Sequence, residues 1–144
     1  MKYLLALAIM ASFVACDYND KTAKNGGNTQ QAPLDSTQFT TIQWIGSVKN
    51  YGKINEGQKL EVSFRFKNTG NKPLIIRSVR PSCGCTAAEP PKEPVAPGAE
   101  GAINASFNSQ GREGINRKDI YVEANTKGIQ NHVVHFDVEV VKAN

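Results

Sequence analysis

The chain has 144 residues, with 17 Lys and Arg against 13 Asp and Glu and a formal charge of +4. The basic residues are scattered without a run of three, which leaves no phosphate-binding stripe and argues against nucleic acid as a partner. Both methionines, Met1 and Met10, precede the first cysteine, so nothing downstream of Cys16 offers a thioether to a soft metal.

In chain order, Lys2 supplies a positive start and residues 4–14 (LLALAIMASFV) form an apolar run. At ~1.5 Å per residue this run makes roughly 16 Å of helix, too short for a hydrocarbon core of about 30 Å. Val14-Ala15-Cys16 then closes it with small residues before a thiol. This order of charge, apolar core and small residues is that of a secretory signal. The thiol at the cut site makes it resemble the lipobox of a bacterial lipoprotein, with Phe13 standing where such sites usually carry Leu. Residues 1–15 are therefore expected to be a signal peptide and Cys16 the lipidated first residue of the processed chain. Acyl chains on both the thiol and the amine would hold firmly where one chain would not. The expected location is the bacterial cell envelope, at the outer membrane facing the periplasm or the surface. Asp17 after the cysteine keeps the inner membrane open as an alternative.

Residues 16–37 are rich in Asn, Gln, Gly, Thr and Lys, with only Tyr18 and Leu34 as large apolar groups after Cys16. Such a segment cannot bury enough surface to offset its ordering entropy, so it reads as a polar tether with a typical span near 25 Å. Asp35-Ser36-Thr37 has the form of an O-glycosylation acceptor in some Gram-negative bacteria, and either hydroxyl could carry the sugar. A plain polar tether is the competing reading.

Residues 38–144 form the expected single domain. In 59–67 (KLEVSFRFK), Leu60, Val62, Phe64 and Phe66 alternate with Glu61, Ser63, Arg65 and Lys67, the period of a strand with one wet face. Asn68-Thr69-Gly70-Asn71 supplies a turn. Further strands are expected over 72–80, 101–108, 118–124 and 131–142, with an opening strand near 39–45 and a short one after Cys85. Ile103, Ala105 and Phe107 share one face, as do Ile120 and Val122, and as do Val134, Phe136, Val138 and Val140. Residues 110–116 are expected to be a loop. Trp44 is expected in or near the core. No stretch beyond the leader shows a helical period, so the expectation is an all-β, immunoglobulin-like antiparallel β-sandwich of about seven strands.

The segments FRFKNTG (64–70), KPLII (72–76), PSCGCT (81–86) and VAPG (95–98) resemble the DUF1573 family. These are uncharacterised bacterial proteins, often lipoproteins, with an Ig-like fold similar to the ASPM/SPD-2/Hydin type. The resemblance covers residues 46–141. It implies fold and envelope location, and it implies no reaction.

Cys83-Gly84-Cys85 is the candidate site for chemistry. Residues two apart on an extended chain share a face, so both sulfurs could meet. A disulfide is one reading, although its Cα separation would sit high in the usual window of about 4.4–6.8 Å unless the chain turns. A labile thiol-redox pair is the second, with Arg77 and Arg80 as groups that could lower a thiol pKa. A Cu or Zn site through Cys83 and Cys85 is the third, with at most one of His132 and His135 able to join, since residues three apart in a strand face opposite ways. Packed free thiols are the fourth.

The proline-rich loop 89–98, with Pro90, Pro91, Pro94 and Pro97, is a candidate interaction segment because stiff extended backbone orders at low cost. A rigid connection between sheets is the other reading. No GxSxG, HExxH or phosphate loop is present, so no catalytic residue and no cofactor is assigned. The expected role is a non-enzymatic binding or assembly module, with the membrane as one partner through lipid and an unknown envelope protein or glycan as another.

Overall fold

The computed structural model describes residues 36–142. The leader, Cys16 and most of the tether lie outside the described residues. A short 3-10 turn (Ser36–Gln38) precedes eight strands: β1 (Ile42–Ile45), β2 (Val48–Asn55), β3 (Lys59–Asn68), β4 (Ile76–Pro81), β5 (Thr86–Glu89), β6 (Glu100–Asn108), β7 (Gly114–Ala124) and β8 (Asn131–Val141). They form two four-stranded sheets in the orders β1-β3-β6-β5 and β2-β8-β7-β4. The protein is an all-β, Ig-like sandwich. Alternation produces it: Val62, Phe64 and Phe66 on β3 and Ile103 and Phe107 on β6 share the inner face of one sheet and pack with Ile120, Val122, Val134 and Phe136 of the other, all of them buried.

The expectation of an antiparallel sandwich of about seven strands is met by eight strands, with one parallel pairing among them. The opening strand expected near 39–45 is β1, and an unexpected strand, β2, follows it after Gly46, whose left-handed φ of 82° lets the chain step from one sheet to the other at no Cβ cost. β1 pairs antiparallel with β3, whereas β2 pairs parallel with β8. The count therefore rises to eight and the second sheet is mixed. Two boundaries also move. The strand expected over 72–80 begins at Ile76, after an isolated bridge between Leu74 and Val95. The loop expected over 110–116 gives way at Gly114 to β7.

Thr40 bridges to Thr126, so the chain joins the sandwich at the end formed by loops 69–75, 90–99 and 125–130. We call this the N-proximal end. The distal end is formed by loops 56–58, 82–85 and 109–113. Buried amides hold the N-proximal end together. Asn68 is fully buried. Its Oδ1 accepts from Thr40 Oγ1 (2.8 Å) and Gly70 N (3.1 Å), and its Nδ2 donates to Lys72 O (2.7 Å) and Val95 O (2.9 Å). Asn125 acts likewise: Oδ1 accepts from Ile75 N (2.7 Å), and Nδ2 donates to Gln38 O (2.8 Å) and Pro73 O (3.0 Å). Gly70 is fixed by space, since a Cβ there would lie 2.1 Å from Thr40 Oγ1 and 2.7 Å from Thr41 N.

Candidate functional site

Cys83 and Cys85 lie in loop 82–85, which carries the chain from β4 in one sheet to β5 in the other. The loop is pinned at both sheets. Ser82 N donates to Asp119 O (2.9 Å) on β7, and Asn108 N on β6 donates to Cys85 O (2.9 Å). Between these anchors the chain turns, with Thr86 N donating to Cys83 O (3.3 Å). The turn brings the two Cα atoms to 5.4 Å, and the sulfurs are joined as a disulfide, within the window that an untwisted strand would strain. Both sulfurs lie near Thr86 Oγ1, at 3.8 and 4.0 Å. Both cysteines are half-buried, while Gly84 between them is exposed.

An open groove of ≈ 360 Å³ runs beside the disulfide, lined in part by Lys59, Gly84, Cys85, Ala87, Ser106 and Asn108. A second hollow of ≈ 220 Å³ continues past Ser106 to Asn104 and Glu89. The lining sets small residues such as Ala87, Asn104, Ser106 and Asn108 between the charged Lys59 and Glu89, a surface suited to hydrogen bonding. Among the described residues no three His, Cys, Asp or Glu gather as a metal-holding group, which leaves the soft-metal reading of Cys83 and Cys85 without a ligand set there.

The remaining sequence candidates are dispersed. His132 packs at 6.0 Å from Trp44 and pairs with Thr126 Oγ1 at 2.8 Å. Burial lowers its pKa below 6.5, opposed by its hydrogen bond to the Ile129 backbone. His135 lies on the opposite face of β8, across from Asp119. Arg77 reaches Glu123 (3.9 Å), and Arg80 is exposed. Arg117 grips Asp137 through two hydrogen bonds (2.8 and 3.1 Å), which hold the carboxyl below and the guanidinium above their ordinary values. Trp44 is half-buried, edge-on to Phe66 at 5.5 Å. In the proline-rich loop Pro90, Pro94 and Pro97 are exposed and Pro91 is half-buried. Val95 ties that loop to Leu74 by two 2.8 Å backbone bonds. Ser36 and Thr37 lie in the 3-10 turn, Thr37 exposed. Sequence reasoning missed Asn68 and Asn125, because an amide that organises loops from inside has no periodic signature.

A family model described as "Protein of unknown function (DUF1573)" matches residues 42–140. No curated protein matches the sequence. Among solved structures, a protein of unknown function from Porphyromonas gingivalis W83 aligns with a TM-score of 0.65 at 17% identity, over 74% of this chain and 50% of that one. The VesB protease of Vibrio cholerae aligns with a TM-score of 0.57 at 15% identity, over 68% of this chain and 31% of that one. The ASH/PapD-like domain of human CEP192 aligns at 0.54 and 11% identity, over 78% of this chain and 93% of that domain. The chain thus spans half of the Porphyromonas protein and under a third of the protease. These likenesses concern the fold.

Proposed function

The chain belongs to the DUF1573 family, a family of unknown function, and from that premise we propose that it is a lipid-anchored bacterial envelope protein whose sandwich serves as a non-enzymatic binding or assembly module. The observation that carries the reading is Val14-Ala15-Cys16 at the end of an apolar run too short to span a bilayer. The outer membrane is the proposed site, with the inner membrane as the alternative. The architecture supports a binding role. The acids and histidines are spread over strand faces and local contacts, and the two sheets end in short edge strands and loops that can take a protein or glycan partner. Anchored at the N-proximal side, the domain would present the loop that carries Cys83 and Cys85 outward.

Intact-mass analysis of the membrane-extracted protein tests the anchor. It should show a chain starting at an acylated Cys16, and an unmodified Cys16 or a start elsewhere overturns it. Crosslinking in the native envelope should capture one reproducible partner. Failure to capture any, together with turnover of a small substrate by the purified protein, overturns the binding role.

A further inference from the structure

The two ends of the sandwich differ in surface chemistry. The N-proximal end exposes Ile75 (42%) and Ile129 (69%), together with Lys72, Lys92 and Lys127, against Glu93 and the flanking Glu89, while Glu100 at the start of β6 is paired with Arg65. Among the described residues none of these three lysines enters an ion pair. At the distal end Glu56 and Glu113 are balanced by Arg112 and by Lys142 just after β8, which lies 3.7 Å from Glu113.

Ile75, Lys127 and Ile129 are tied together through the backbone, Lys72 is held beside Thr40 through Asn68, and Lys92 lies in loop 90–99 at the same end. Asn125 N donates to Ile75 O (3.2 Å), Lys127 N to Thr40 O (2.9 Å) and Ile129 N to Lys127 O (3.1 Å). They therefore surround the point at which the sandwich joins the segment leading back to Cys16. On the lipid-anchor reading Cys16 precedes this end by a short stretch of chain, so a lipid there would hold it at high effective concentration beside the headgroups.

We propose that the N-proximal end is a membrane-contact surface, in which Lys72, Lys92 and Lys127 meet anionic lipid headgroups and Ile75 and Ile129 enter the interfacial layer. The identity of the bilayer rests on the lipid-anchor reading, but the contact itself does not. Lysines near an anionic surface and large apolar side chains at the headgroup boundary act together, and a weak contact of this kind fixes the tilt of a domain that its anchor already confines.

The test uses the processed chain, residue 16 onward, carrying Cys16→Ser, sedimented with phosphatidylcholine vesicles with and without phosphatidylglycerol. Binding to the anionic vesicles is expected, with loss at high salt, and Lys72→Gln or Lys127→Gln should each lower the partition coefficient about fivefold. Ile129→Ser, which leaves the charge unchanged, should lower it as well. Arg112→Gln, at the distal end, should leave it unchanged. All four positions are exposed, and circular dichroism of each variant should match the parent. Absence of binding to anionic vesicles overturns the proposal, as does an equal loss from Arg112→Gln, which would mark diffuse attraction of a cationic chain. Vesicle binding with an unmodified Cys16 in the native protein removes the anchor and leaves the contact. Acylated Cys16 without vesicle binding does the reverse.

Discussion

Asn68 is a polar residue whose four hydrogen bonds are all made inside the protein. Removing its amide leaves Lys72 O, the Thr40 hydroxyl and Gly70 N without this partner, while Val95 O keeps its bond from Leu74 N, and each stranded group costs about 1–3 kcal/mol. Asn68→Ala should therefore lower stability by roughly 3 kcal/mol or more, read as an earlier urea midpoint with an unchanged slope. His132 carries a different expectation. Its folded pKa lies below the ordinary 6.5, so the unfolded chain takes up a proton that the folded chain refuses. Stability should be flat above pH 6.5 and fall as pH drops below it. Trp44, the single tryptophan and a neighbour of the imidazole, reports unfolding by its fluorescence. His132→Gln should remove that dependence. The Arg117–Asp137 pair acts in the same direction but only below the ordinary carboxyl value of 3.8, so the two windows separate.

At the scale of elements, the disulfide closes a very short loop whose flanks are already bonded to both sheets. Loop closure over three residues is worth about 1.5 kcal/mol, so the Cys83→Ser/Cys85→Ser double variant should keep its β-rich circular dichroism and lose about that much in urea titration. Complete failure to fold would show that the loop organises the sandwich instead of trimming its edge. The strands that were legible in the sequence are those with one dry face and one wet face: β3, β6, the second half of β7, and β8. β2 escaped notice because the ladder shifts register between Asn50 and Lys53. Tyr51 and Ile54 both turn inward at a spacing of three residues, which breaks the strand period of two, with Tyr51 edge-on to Phe136 at 6.1 Å. The start of β7 was hidden by inverted polarity, since Ile115 is 86% exposed while Asn116 is buried and donates to Arg112 O and Gly114 O. The spacing of Cys83 and Cys85 announced a shared face. That their turn is also a crossing between sheets depends on contacts with Asp119 and Asn108, far away in sequence.

For the whole molecule, the step from β1 to β2 at Gly46 has a mechanical consequence. From Thr40 the chain runs away from the N-proximal end, first along β3 as β1 and then along β8 as β2. A load applied through a lipid at Cys16, with the sandwich gripped by a partner, would pull back along that axis. It would try to slide β1 and β2 lengthwise, straining both ladders at once instead of peeling them bond by bond. Sliding motion of this kind meets the combined resistance of two sheets. A module fastened in this way to a surface that is sheared or stretched would thus be gripped firmly against a pull along its strands.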